Sequence, residues 1–171
     1  SWDINRTEAA KLGTNMHKSI EEFFENLMEP KEKSKEFNFF LDFWREFKKV
    51  NPEFTPYRTE WIVYDEDKEL AGSIDFVLEN ENSDLVLIDW KRSKEIKKNN
   101  RLAKGKYPLQ HIEDCNYNHY TIQLNSYRRI LQTKYNKNVI AMFLVILHPN
   151  QQCAEMIPVN IINNEINSLW D

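Results

Sequence analysis

The run Leu85–Lys91, LVLIDWK, constrains the chain more than any other stretch. Four consecutive aliphatic residues give way to Asp-Trp-Lys, so an apolar strand ends on two opposite charges. Side chains alternate across a strand, so Leu85, Leu87, Asp89 and Lys91 share one face while Val86, Ile88 and Trp90 share the other. The segment before it, from Glu69 through Ile74, Asp75, Phe76 and Val77, reads as a hairpin partner across a polar turn from Glu79 to Asp84. Asp75 can then lie close to Asp89 and Lys91. Two carboxylates that converge beside a lysine repel each other unless a cation sits between them, and hard divalent ions take oxygen ligands of this kind.

The rest of the chain supplies helices and further strands. Leu12, Met16, Ile20, Phe23, Phe24 and Leu27 recur at helical spacing, which predicts an amphipathic helix over Thr7 to Met28 closed by Pro30. His17 falls at the edge of its apolar stripe, and Gly13, one turn earlier, leaves room for another backbone to approach. A second helix is expected from Ser34 to Val50, with Phe37, Phe40, Leu41, Trp44 and Phe47 inward. Phe39 and Phe43 fall off that face, as if the helix were buried on more than one side or covered a partner. Arg58 to Asp65 reads as a strand with Glu60, Ile62 and Tyr64 on one face. A glutamate on a central strand is costly to bury unless it is paired or metal-bound. A helix from Tyr117 to Tyr135 follows, then a buried strand over Asn138 to Leu147. A peripheral strand from Cys153 to Ile161 carries Pro158, and a closing helical segment runs from Asn163 to Trp170.

Composition narrows the class. The 171 residues suit a single domain, expected over 1–171, with bulky core material in ten Phe, seven Tyr and five Trp. Three Gly and six Pro favour long regular elements over many tight turns. No apolar run approaches the ~18 residues of a membrane span, and no secretory leader is visible, so an intracellular place, cytoplasm or nucleus, is expected. Cys115 and Cys153 stand far apart and outside any C-x-x-C, which argues against zinc or iron–sulfur ligation and for a reducing compartment. The net charge of −4 argues against nucleic acid only until its distribution is read. Residues 91–106 carry Lys91, Arg92, Lys94, Lys97, Lys98, Arg101, Lys104 and Lys106 against Glu95 alone, so this segment is +7 and the remainder −11. A basic strip that starts at the candidate metal site is placed where an anionic polymer would have to be held. The stretch from Ser93 to Asn118 is long for a structureless connection, and such loops are usually functional.

Taken in order, helix, helix, three strands, helix and two strands, with these residues, the chain resembles the PD-(D/E)xK nuclease superfamily. It is most similar to the RecB-type, lambda-exonuclease-like branch. The resemblance rests on five short motifs spread from Gly13 to Tyr127: G-T-N-M-H ending at His17, Glu60 on the first strand, G-S-I-D ending at Asp75, D-W-K from Asp89 to Lys91, and Q-L-N-S-Y from Gln123 to Tyr127. It implies an α/β, restriction-endonuclease-like αβββαβ core, a mixed central sheet flanked by helices. The chain departs from iron–sulfur members of the branch, which carry four cysteines, and it has no helicase motif. A small free-standing nuclease, or one belonging to a larger parent chain or protein partner, is expected.

The resemblance also implies roles. His17, Asp75, Asp89 and the backbone carbonyl of Trp90 would bind one or two Mg²⁺ or Mn²⁺ ions; a histidine among oxygen ligands suits Mn²⁺ as well as Mg²⁺. Lys91 would orient the attacking water and offset transition-state charge, help usually worth about 3 kcal/mol per donor. Glu60 would bind metal through water or hold a lysine, and Gln123 and Tyr127 would position the substrate backbone or brace Lys91. Arg92, Lys94, Lys97, Lys98 and Arg101 would grip phosphates and make binding salt-sensitive. The expected activity is metal-dependent hydrolysis of DNA at ends or in single strands. A cap-snatching RNA endonuclease shares the fold and a metal-binding histidine, but the Q-x-x-x-Y helix speaks against it. A silent nucleic-acid-binding module would keep the fold alone, and the intact His, two Asp and Lys speak against that.

Overall fold

The computed structural model describes residues 2–94 and 116–170. The first two elements are helices, α1 (Trp2–Asn26) and α2 (Lys35–Val50). Three strands follow, β1 (Thr55–Asp65), β2 (Leu70–Glu79) and β3 (Leu85–Lys91). Then come α3 (Asn116–Lys134), β4 (Val139–Ile146), β5 (Glu155–Pro158) and α4 (Asn163–Trp170). The strands lie side by side in sequence order, β1-β2-β3-β4-β5. β3 and β4 run parallel and every other neighbouring pair is antiparallel, which makes the sheet mixed. This is the α/β architecture expected from the element order. Among the described residues no helix is long and apolar enough to cross a membrane.

The alternation along β3 divides its side chains between two cores. Leu85 and Leu87 join a cluster with Leu124, Leu131, Met142, Leu144 and Ile166, under α3 and α4. Val86, Ile88 and Trp90 join Met16, Ile20, Phe37, Phe40 and Phe76, under α1 and α2. The second core is strongly aromatic. Phe24 stacks on Phe76 at 4.1 Å between centroids, and Phe40 meets Trp90 edge-on at 5.3 Å. Such pairs add about 0.5–1.5 kcal/mol beyond the area they bury. They pin Trp90 inward, so its neighbours Asp89 and Lys91 must turn the other way. β4 is flanked on both sides and largely buried, as its composition requires, and the short β5 forms an edge.

The helix ends follow local rules. Ser34 caps α2 by accepting the Phe37 N–H on its Oγ at 3.1 Å. Phe39 and Phe43, half-buried, pack against the aromatic core, so the helix is indeed covered on a broad face. α1 stops at Asn26 rather than at Pro30. Leu27 takes the left-handed conformation (φ 53) that closes the helix, and its side chain is thrown into solvent instead of extending the buried stripe.

The central-strand expectation for Glu60 is overturned. β1 is an edge strand, and Ile62 and Tyr64 on Glu60's face are exposed. The layer over that face stops short of the outer end of β1, so the alternation marks solvent at Ile62 and Tyr64 while Glu60 stays half-buried.

Candidate active site

The site forms where β2 parts from β3. Their pairing runs from Glu79↔Leu85 to Phe76↔Ile88 and stops there. Beyond it the Trp90 N–H has no ladder partner on β2 and donates instead to Asp75 Oδ2 at 3.0 Å. The alternation of β2 breaks at the same place: Ile74 and Val77, three residues apart, lie in one core, while Phe76 and Leu78 lie in the other. Asp75 therefore stands at the parting of the strands, between the two layers.

α1 delivers His17 to that carboxylate. The ring's Nδ1–H donates to the Gly13 carbonyl at 2.8 Å, which orients Nε2 onto Asp75 Oδ2 at 3.0 Å. A backbone carbonyl on the far nitrogen is the usual way a metal-binding imidazole is aimed. Burial pulls the imidazolium down, but the hydrogen bond and charge of Asp75, the Gly13 carbonyl and the Asp89 charge outweigh it and hold the ring up at about 9. Among the described residues no second backbone approaches Gly13. A Cβ there would meet nothing within 4 Å, and the residue instead lines an open cleft of about 640 Å³ with His17, Glu21, Glu22, Glu60 and Asp75.

Asp89 is buried, and its Oδ2 has no directed hydrogen-bond partner among the described residues. Lys91 Nζ lies 2.9 Å from that oxygen as an ion pair. Burial and the Asp75 charge push the Asp89 carboxyl up to about 7, against the pull of Lys91. Burial lowers Lys91, yet its interactions with Asp89, with Tyr120 and Asp75 adding to them, together outweigh burial and its pKa is raised. Tyr120 on α3 places its ring 4.1 Å from Lys91 Nζ, a contact the sequence did not announce because it depends on how α3 crosses β3.

Gln123 and Tyr127 meet as their spacing predicts, with Gln123 Nε2–H donating to Tyr127 Oη at 3.0 Å. The Tyr127 ring lies over Gly72, where a Cβ would stand 2.2 Å from Tyr127 Cε1. The glycine of G-S-I-D is thus the seat for the tyrosine of Q-L-N-S-Y. Glu60 accepts from Ser73 Oγ at 3.0 Å and holds a left-handed backbone (φ 43) in mid-strand, interrupting β1–β2 pairing between Thr59↔Phe76 and Trp61↔Ile74. A non-glycine residue there is costly and is retained only where its surroundings impose it. Burial and the Asp75 charge raise its carboxyl, with Ser73 lowering it in part.

The donors at this end of the sheet are one imidazole nitrogen and the carboxylates of Asp75 and Asp89. No three His, Cys, Asp or Glu side chains among the described residues are drawn into a ready coordination cage. His17 Nε2–H donates to Asp75 Oδ2, and Asp89 faces Lys91. The mixed N/O donor set and the buried acceptor Asp89 Oδ2, which lacks a directed partner, fit a divalent cation.

The basic strip fares differently. Arg92 turns inward onto buried Glu36, Nε to Oε1 3.5 Å, with side chains only 12% and 8% exposed. The expectation that Arg92 grips phosphate is replaced by an internal tie, since its guanidinium is engaged and shielded. Lys94 is exposed. Lys97, Lys98 and Arg101 lie outside the described residues.

A family model described as the PD-(D/E)XK nuclease superfamily matches residues 30–165, a stretch that holds Glu60, Asp75, Asp89, Lys91, Gln123 and Tyr127. No curated protein sequence matches the chain. Among solved structures, the protein SSO0001 is 17% identical with a TM-score of 0.35, over 74% of this chain and 50% of its own. A protein of Eubacterium rectale provisionally described as an exonuclease is 14% identical with a TM-score of 0.37, over 81% of this chain and 63% of its own. The chain thus spans half the length of the first and less than two thirds of the second.

Proposed function

The chain belongs to the PD-(D/E)XK nuclease superfamily, and from that premise we propose that it is a metal-dependent deoxyribonuclease hydrolysing phosphodiester bonds at DNA ends or in single strands. Nucleases of this superfamily act on nucleic acid with divalent metal ions. The observation that carries the reading is the meeting of His17, Asp75, Asp89 and Lys91 at the end of β3, from the opening helix and the β2–β3 hairpin.

His17, Asp75, Asp89 and the Trp90 carbonyl would hold the ion, Mg²⁺ or Mn²⁺. When bound, the ion supplies an acidified water and neutralises charge on the scissile phosphate. The chain's own groups do the rest. Lys91 keeps its proton beside Asp89 and offers N–H donors to the phosphate or the attacking water. Gln123 and Tyr127, locked together on α3, position the substrate backbone or brace Lys91. Glu60 assists through a water from the cleft wall. Lys94, Lys97, Lys98 and Arg101 hold the DNA backbone, which makes binding weaken with salt. The two widely spaced cysteines, of which Cys153 is free and exposed, suit a reducing intracellular compartment. A larger parent chain or a protein partner accompanies this reading.

The test is incubation of labelled single- and double-stranded DNA, with free and blocked ends, and of matched RNA, with Mg²⁺ or Mn²⁺. Cleavage of DNA that EDTA, Asp89→Ala or Lys91→Ala abolishes in a folded protein is the expected result. Full activity in EDTA or in either variant would end the proposal, and preferential cleavage of RNA would transfer it to the cap-snatching type.

A further inference from the structure

The ammonium of Lys91 is held from two sides. On one, Asp89 Oδ2 stands 2.9 Å away. On the other, the ring of Tyr120 lies 4.1 Å from Nζ, well inside the range at which a ring face attracts a cation. The Lys91 side chain is only 23% exposed, so water screens little of that attraction.

The two holds differ in kind. A carboxylate neutralises the ammonium and draws its N–H donors toward itself. A ring face attracts the charge without neutralising it and needs none of the three N–H groups in a fixed direction. Lysine on its four-carbon stem is otherwise a mobile charge. Tyr120 is well placed to fix it. The residue is half-buried against the core beneath α3, and with Leu124 and Tyr127 it forms an i, i+4, i+7 stripe facing the sheet. Tyr127 seats that stripe on Gly72, and Tyr120, two turns earlier, meets Lys91.

We propose that Tyr120 is a positioning residue, whose ring holds the Lys91 ammonium at the reacting phosphate once Asp89 is committed to the metal ion. The inference rests on reading Lys91 as the charge-stabilising lysine of a nuclease. The phenol hydroxyl plays no part in it, so the aromatic face alone must suffice.

The experiment compares Tyr120→Phe, Tyr120→Leu and the unaltered protein in steady-state DNA cleavage with Mn²⁺, alongside thermal midpoints and the NMR resonances of the Lys91 side chain. Tyr120→Phe should retain most of kcat, while Tyr120→Leu should lose about ten-fold in kcat with KM unchanged. The Lys91 methylene protons should show a ring-current shift in the unaltered and Phe proteins that vanishes in Leu. Should Tyr120→Leu unfold, Tyr120→Met replaces it. Full kcat in the Leu or Met variant, an equal loss in Phe and Leu, or no ring-current shift in the unaltered protein would each overturn the proposal. If the unaltered protein cuts no DNA the nuclease reading falls and takes this role with it, and a ring-current shift still present separates that outcome from a wrong contact.

Discussion

The Tyr127 ring occupies the space above Gly72 so fully that a methyl group at that glycine would overlap it, 2.2 Å from Cε1. Two short motifs, one on a strand and one on a helix 51 residues later, are thus a single packing unit. Gly72→Ala must push the ring aside, and with it the hydrogen bond from Gln123. Overpacking of this kind costs about 1–3 kcal/mol. The expected result is a lower urea midpoint and weaker cleavage. Adding Tyr127→Ala removes the overlap, so the double variant should be less destabilised than the two single losses summed. Simple additivity would refute the contact.

Asp89 is the most constrained carboxyl at the site. It is buried, faces Asp75, and is held up at about 7 because burial and that neighbouring charge outweigh Lys91. Asp89→Asn keeps the shape and removes the charge. Above neutral pH and in EDTA, the variant should therefore denature at a higher temperature than the unaltered protein. Its cleavage should fall at least about a hundredfold, a loss of the size seen when a key electrostatic group is removed. Calorimetry and cleavage on the same preparations check both halves, and a variant destabilised in EDTA would contradict the account of its burial.

The stability of the protein in EDTA should run against the usual pH trend. The Asp89 carboxyl titrates near 7 in the fold against 3.8 when exposed, so between those values the folded state binds more protons than the unfolded state. The imidazole of His17 titrates near 9 against 6.5, with the same sign. Stability contributed by both groups is present at low pH and is lost as pH rises, for Asp89 up to about 7 and for His17 from 6.5 through 9. Denaturation midpoints in EDTA should decline across that window, and His17→Gln should flatten its upper half. Divalent metal must displace these protons, so Mn²⁺ affinity should climb over the same range. An affinity independent of pH would argue that His17 is not a ligand.

Much of this site was legible before any coordinates. The alternation of Leu85–Lys91 placed Asp89 beside Lys91, and the four-residue spacing of Gln123 and Tyr127 put them on adjacent turns, because both rules act within one element. The nearness of His17 to Asp75 came only with the family resemblance, since nothing local links residues 58 apart. The edge position of β1, the left-handed backbone of Glu60 and the Tyr120–Lys91 contact were invisible for a related reason. Each depends on sheet order or on the angle at which a helix crosses a strand, and neither is written in a period of two or of 3.6. Leu27 misled because its side chain fits the apolar stripe while its backbone ends the helix.

The Glu36–Arg92 tie has the same tertiary origin and yields a final prediction. Glu36 lies in the first turn of α2, and Arg92 directly follows Lys91, so their pairing fastens α2 to the strand end that carries the site. Both side chains are nearly excluded from water. Breaking such a pair leaves one charge buried and uncompensated, which costs about 3–5 kcal/mol, whereas removing both charges together is often neutral. Glu36→Ala should therefore lower the urea midpoint strongly, and Glu36→Met with Arg92→Met should restore most of it. Cleavage by the refolded double variant then separates two roles for Arg92. Unchanged affinity for DNA in a salt titration marks it as a tie, while a slope reduced by about one counterion would return it to the phosphate-gripping set.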